Sequence, residues 1–423
     1  MSRFSRLTAA CACVALMAAC RGGTPAAPPN QPKPLSTVAE RYVRLALALS
    51  LHDPASLEAY TGAAERTFDV AKARPSLADI AIEAGRLYHA LGAPGAAGDA
   101  EPARRAYLAG ELRAIAARAR QRGGQRWTFD DEAREVYGIE PGRFDVGRAT
   151  AARDAIAREL AEVAGLPPPD DPAARYAAFR ARFAVPMNQV APLFSRALAQ
   201  ARIDTRAHLA LPDDEAARVE TTWGRAWPAF TWYEGRSQSL VQLAIDNRFD
   251  VAQIVQLACH EGYPGHHAQN VLSDQALAGE RQLVEYTIVP RIGPFVPLAE
   301  SSADAGCDLL WSIDRKVALA ATLLPRASKT DLTRLFRLDA LAAGLRPLVV
   351  EIARAFADGR MSNDEAAERL TEDALVPAPD LVLKNVATAG ASLAAYAEPM
   401  ALAAGDQGWI ALREMWTRPL QRR

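Results

Sequence analysis

Apolar residues recur at three- and four-residue spacings along residues 35–202, in Ala-, Leu- and Arg-rich segments, which is the period of helices with one packed face. Within 151–164, for example, Ile156, Leu160 and Val163 fall on one stripe. Gly and Pro interrupt the pattern at 92–95, Gly123-Gly124, Pro141-Gly142 and 167–169, where helices end. A helical N-terminal subdomain is predicted over 37–205. Between Trp223 and Asp246 the texture changes. Phe230-Thr231-Trp232-Tyr233 favours a strand, Glu234-Gly235 can turn the chain, and 237–245 reads as a second short strand or, alternatively, as helix through Leu240 to Ile245. Helical spacing then resumes. Over 249–261, Val251, Ile254, Val255 and Ala258 share an apolar stripe, while Gln253, Gln256 and His260 lie roughly opposite, so His260 leaves the packed face. Beyond residue 304 the chain reads as helix again, with Ser362-x-x-Glu365 as a capping box. The expected fold is mainly α: a large helical domain with a central cleft and a short β-hairpin beside the helix that carries His260. Residues 206–423 form its second subdomain.

Half of the 423 residues are hydrophobic, enough to bury a sizeable core. The formal net charge of −1 lacks the concentrated basic field that nucleic acid binding needs, so no nucleic acid partner is expected. No glycine cluster follows a strand-like run to cradle a nucleotide phosphate. The N-terminus is a separate matter. Arg3 and Arg6 precede an apolar run, 7–19, too short to span a bilayer, which closes on Leu16-Met17-Ala18-Ala19-Cys20. Small residues before a Cys resemble a bacterial lipobox. Residues 1–19 are then a lipoprotein signal peptide and Cys20 the lipidation site, with ordinary signal cleavage as the alternative. Residues 20–36 hold five prolines and read as a Pro-rich tether. Residue 21 is Arg and not Asp, which by resemblance to lipoprotein sorting places the anchor in the outer membrane, facing the periplasm. In that oxidising compartment Cys259 and Cys307 can form a disulfide.

Three of the six histidines fall in one stretch, Cys259-His260-Glu261-Gly262-Tyr263-Pro264-Gly265-His266-His267. Neutral imidazole is the usual zinc ligand, and a neighbouring Glu can take a proton from a metal-activated water. Pro264 stands where the second ligand of a His-Glu-x-x-His helix would be. An unbroken helix would also carry His267 about 10 Å along the axis from His260. Pro264-Gly265 must therefore bend the chain and bring back His266, or alternatively His267. Glu300 is the best candidate for a third ligand, and Asp304, one turn later on the same face, can orient an imidazole through its other ring nitrogen. Tyr396 and Arg346 are possible oxyanion or substrate contacts, with a structural role as the first reading of each. His52, His89 and His208 are isolated in sequence and read as ordinary core or surface histidines.

His260-Glu261-x-x-Pro264-Gly265-His266-His267, followed by Gln269, resembles the His-Glu-x-x-Pro-Gly-His-His signature of a large bacterial domain-of-unknown-function family. That family is placed with the gluzincin-type zinc metallopeptidases and is distantly similar to the Taq-type carboxypeptidases. Glu300-Ser301-Ser302-Ala303-Asp304 is similar to the gluzincin pattern of a Glu ligand followed by Asp, although many relatives have Glu-Gly-Trp-Ala where this chain has 300–303. The resemblance implies a mainly helical, metallopeptidase-like fold with its cleft near the middle of the sequence. It implies zinc on His260, His266 and Glu300, Glu261 as general base, and a peptide substrate. Two other readings stand beside it. In one the protein is a non-catalytic surface lipoprotein with a structural metal site; in the other Cys259 or Cys307 is a ligand or half of a redox pair. A disulfide pinning the two ligand-bearing helices together is the preferred use of the cysteines.

Overall fold

The Gly and Pro breaks punctuate a mainly α fold, 66% helix and 9% strand among the described residues. The computed structural model describes residues 34–92, 101–140, 145–396 and 400–419. The signal peptide, Cys20 and most of the tether lie outside the described residues. The first helix, Leu35–Ser50, begins inside the range assigned to the tether.

Among the described residues two large apolar cores and a smaller third one, around Ile352, Leu370 and Leu383, organise the helices. In the first, Leu35–Ser50, Leu77–Leu91, Pro102–Arg122 and Phe129–Tyr137 bury Val38, Tyr42, Ile80, Leu87, Leu108 and Leu112 against Tyr286, Ile288 and Ile292. The second gathers Val146–Leu160, Pro172–Ala181 and Met187–Arg206 with the sheet and the helix Val251–Glu261. Ile156, Leu160 and Val163 are buried there, as their spacing predicts. The division expected at 205/206 does not fall between cores. Leu193, Phe194, Ala197 and Ala201 share a core with Ile254, Val255 and Ala258, because the apolar stripes of the two helices cover each other. The described residues form one compact unit.

The hairpin forms, with Ala229–Gly235 antiparallel to Gln238–Ala244. Its turn lies at Arg236-Ser237, two residues later than expected, with φ of 52° and 60°. Positive φ at both central residues matches the twist of tight two-residue hairpins, and Gly235, at φ 77°, absorbs the accompanying register shift. A third strand, Ala216–Thr222, pairs in parallel with Gln238–Ala244. The order is therefore 216–222, 238–244, 229–235, which leaves Ala229–Gly235 as an edge. Leu57–Tyr60, paired with Ile288–Pro290, packs beside that edge.

The helix of His260 starts at Val251, two residues later than its periodicity suggests. Phe249-Asp250 pairs instead with Ala184-Val185. The Asp250 side chain then accepts from the Gln253 amide while Gln253 reaches back to the Asp250 amide, a full capping box.

Candidate metal centre

Three short elements bring the site together. The helix Val251–Glu261 ends at Gly262, the chain turns through a cis Tyr263–Pro264 bond, and a second helix, His266–Ser273, begins at once. Gly265 permits this turn: a Cβ there would collide with the carbonyl of His260. A Cβ on Gly262 would collide with Leu198. The third element, Phe295–Leu310, carries Glu300 and Asp304 one turn apart. A disulfide between Cys259 and Cys307, with Cα atoms 5.7 Å apart, ties it to the helix of His260. This is the bridge preferred from the sequence, and it leaves neither sulfur to serve as a metal ligand.

The geometry converges on one point. Nε2 of His260 lies 3.3 Å and Nε2 of His266 3.4 Å from Glu300 Oε2, and the donor atoms of the three residues all lie within 4.8 Å of one another. The two imidazoles stand nearly perpendicular, with centroids 4.7 Å apart. Nδ1 of His260 is 2.9 Å from Asp304 Oδ1, so Asp304 holds one ring nitrogen and directs the other toward the cluster. Arg346 donates to Asp304 Oδ2 at 2.8 Å. Its guanidinium thus secures Asp304 from behind, a structural contact of the kind its sequence also allows. Tyr396 donates its hydroxyl to Glu300 Oε2 at 2.6 Å, within the cluster itself.

His267 turns the other way. Its Nε2 lies 3.0 Å from Glu215 Oε2 and its Nδ1 2.7 Å from Ser239 Oγ. Those partners assign Nε2 as donor and Nδ1 as acceptor, so no lone pair remains for a metal. The side chain is fully buried, whereas His266 and Glu300 keep 17% and 19% exposure. The alternative second ligand is thereby removed, because sheet and helix close over one ring and leave its neighbour open.

Charges follow the same division. Burial works against ionisation of His260, but Asp304 and Glu300 outweigh it and raise its pKa well above the ordinary value. Burial likewise pushes Glu300 up, and the two imidazoles overcome this and hold its carboxyl well below the usual range. Asp304 sits at about 2, with burial outweighed by His260 and Arg346. Glu215 also falls to about 2, because His267, Tyr263 and Arg202 outweigh its burial.

Several contributors carry no motif. The Thr231 hydroxyl lies 2.8 Å from both the carbonyl oxygen and Oε2 of Glu261, fixing the end of the helix to the edge strand. Glu215 gathers Tyr263, Arg202, Arg206 and His267 around one buried carboxylate. Thr231 lies in the aromatic segment that marks the strand, but nothing in that segment distinguishes it. The isolated histidines behave as expected: His208 stacks on Trp409 and His52 bonds the Pro75 carbonyl.

No family model and no curated protein matches the chain. Among solved structures, two proteins each described as a “putative lipoprotein”, from Colwellia psychrerythraea and Shewanella oneidensis, are similar with TM-scores of 0.39 and 0.37. Identity is 13% and 11%, over 90% and 78% of this chain and 68% of each neighbour. Likeness at that level bears on neither the site nor its chemistry.

Proposed function

We propose that the protein is a zinc-dependent hydrolase, a peptidase in which Glu261 acts as general base, held at the cell envelope through a lipid on Cys20. The observation that carries the reading is the convergence of two imidazole nitrogens and one carboxylate on a single point, with Glu261 directly following the first ligand. Two His and one Glu form a donor set suited to zinc, and their partial exposure suits a site that keeps one position open. A structural site would be closed. The lipid anchor rests on the Ala18-Ala19-Cys20 run, and the outer-membrane, periplasm-facing location on Arg21.

Zinc bound there supplies Lewis acidity toward a water and a peptide carbonyl. His260 offers Nε2 because Asp304 retains Nδ1–H. Glu261 takes the proton of the attacking water on its carboxylate and passes it to the leaving amine. Thr231 keeps that carboxylate beside the edge strand, against which an extended peptide can lie. Glu261→Gln is expected to keep zinc and lose hydrolysis by 10²-fold or more, on the order of a general base's contribution. Zinc content and peptide turnover measured side by side decide it: a variant with zinc and full activity removes Glu261 from that role. Stoichiometric zinc with no hydrolysis across a broad peptide library would favour a non-catalytic lipoprotein.

A further inference from the structure

One carboxyl group beside the centre has no use in the chemistry above. Glu58 belongs to the strand Leu57–Tyr60, some two hundred residues away in sequence from the histidines. Its Oε1 accepts from the backbone N–H of Tyr233 at 3.1 Å and from Nδ2 of Asn270 at 3.2 Å. Both donors belong to elements of the site. Tyr233 is two residues along the edge strand from Thr231, the partner of Glu261, a distance of about 7 Å. Asn270 lies one turn beyond His266 on the same helix face. The carboxylate is thus fixed at the side of the cluster, where His266, Glu261 and Arg291 act on it electrostatically.

Two consequences follow. An extended peptide on this edge would pair with the Tyr233 N–H, and Glu58 already holds that donor, so a chain laid along the strand has to stop there. Glu58 Oε2, meanwhile, has no hydrogen-bond or ion-pair partner among the described residues. A carboxylate with one oxygen spent and one free accepts an ammonium group, with its three donors, and repels a terminal carboxylate. We propose that Glu58 receives the α-ammonium of the substrate's first residue, so that the site works from the free amino end of a peptide. This rests on the peptidase reading above and narrows it to aminopeptidase or dipeptidase action. Burial raises the Glu58 carboxyl to about 7, so an incoming cation also restores charge to a group that its surroundings partly neutralise.

The test uses the tripeptide amide Ala-Leu-Leu-NH2 and its N-acetyl form. Binding to the zinc-free full-length protein is followed by ligand-observed NMR, with wild type, Glu58→Gln and Glu58→Asp compared at equal folded content by circular dichroism. Wild type is expected to bind the free-amino peptide at least tenfold more tightly than the acetylated one; Glu58→Gln loses that preference and Glu58→Asp keeps part of it. Zinc-loaded wild type is expected to release residues from the amino end only and to leave the acetylated peptide intact. Equal binding and equal cleavage of the two peptides overturns the role of Glu58 while the peptidase reading stands. If neither peptide is cut at full zinc occupancy, the peptidase reading fails, and the binding comparison still decides whether Glu58 selects an ammonium.

Discussion

His266 and His267 are chain neighbours with opposite fates, and their partners explain why. His266 faces Glu300 at the open end of the cluster, while His267 spends both nitrogens on Ser239 and Glu215 in a closed interior. The sequence narrows the ligand to these two but cannot choose, because the choice depends on Ser239 and Glu215, which come from strand and loop segments outside the motif. Glu261, Glu300 and Asp304 were legible for the opposite reason: their spacing within one helix or one short motif fixes the face they share. Glu58 and Thr231 were not, since each reaches the site only through strand pairing. Asp304→Asn is expected to weaken zinc binding by roughly 10- to 100-fold, the usual effect of removing the group that orients a ligating imidazole. Chelator competition measures it, and an unchanged affinity would detach Asp304 from the site. Glu215 makes a pH-dependent prediction. Its folded pKa of about 2 lies below the ordinary 4.5, so its stabilisation is complete above about 4.5 and is lost as pH falls toward 2. Denaturant unfolding should show Glu215→Gln less stable than wild type at pH 7, by at most roughly 3 kcal/mol, with the gap closing as pH approaches 2. A gap that does not change with pH contradicts this.

At the level of elements, the helix of His260, the turn at Pro264-Gly265 and the helix of Glu300 act as one unit because two devices lock them. Glu215 takes bonds from Tyr263 and His267 on either side of the turn, and the disulfide joins Cys259, just before His260, to Cys307. The bend itself was readable, since Pro264 cannot continue a helix and Gly265 alone leaves room for the His260 carbonyl. The hairpin was readable from its aromatic, alternating strand. Its turn was misplaced by two residues, because Gly235 signals a turn in sequence yet serves as the bulge before it. The strand Ala216–Thr222 is not legible in the sequence because it lies mostly toward solvent and carries little apolar pattern. Replacing both cysteines with serine removes a cross-link spanning 48 residues and is expected to lower stability by about 4 kcal/mol on the chain-entropy model. Thermal unfolding of the double variant against oxidised wild type measures this; an unchanged melting temperature would mean that the bridge constrains nothing.

For the whole molecule, the helical class followed from a pervasive three- and four-residue period, and the subdomain division did not. Periodicity shows that a helix has an apolar face without saying which distant face covers it. Met187–Arg206 was therefore assigned to the N-terminal half, although its stripe packs on the helix of His260. That packing holds His260 from behind, the disulfide and the Glu300 helix hold it from the side, and the sheet edge faces it across Glu261. The proposed hydrolase requires this arrangement to bind zinc at one place. Anomalous diffraction at the zinc edge from crystals of the zinc-loaded protein tests it most directly. The expected result is a single strong peak about 2.0–2.2 Å from Nε2 of His260, Nε2 of His266 and a carboxylate oxygen of Glu300. A peak at His267 and Glu215, or none at those three residues with zinc in excess, would contradict it.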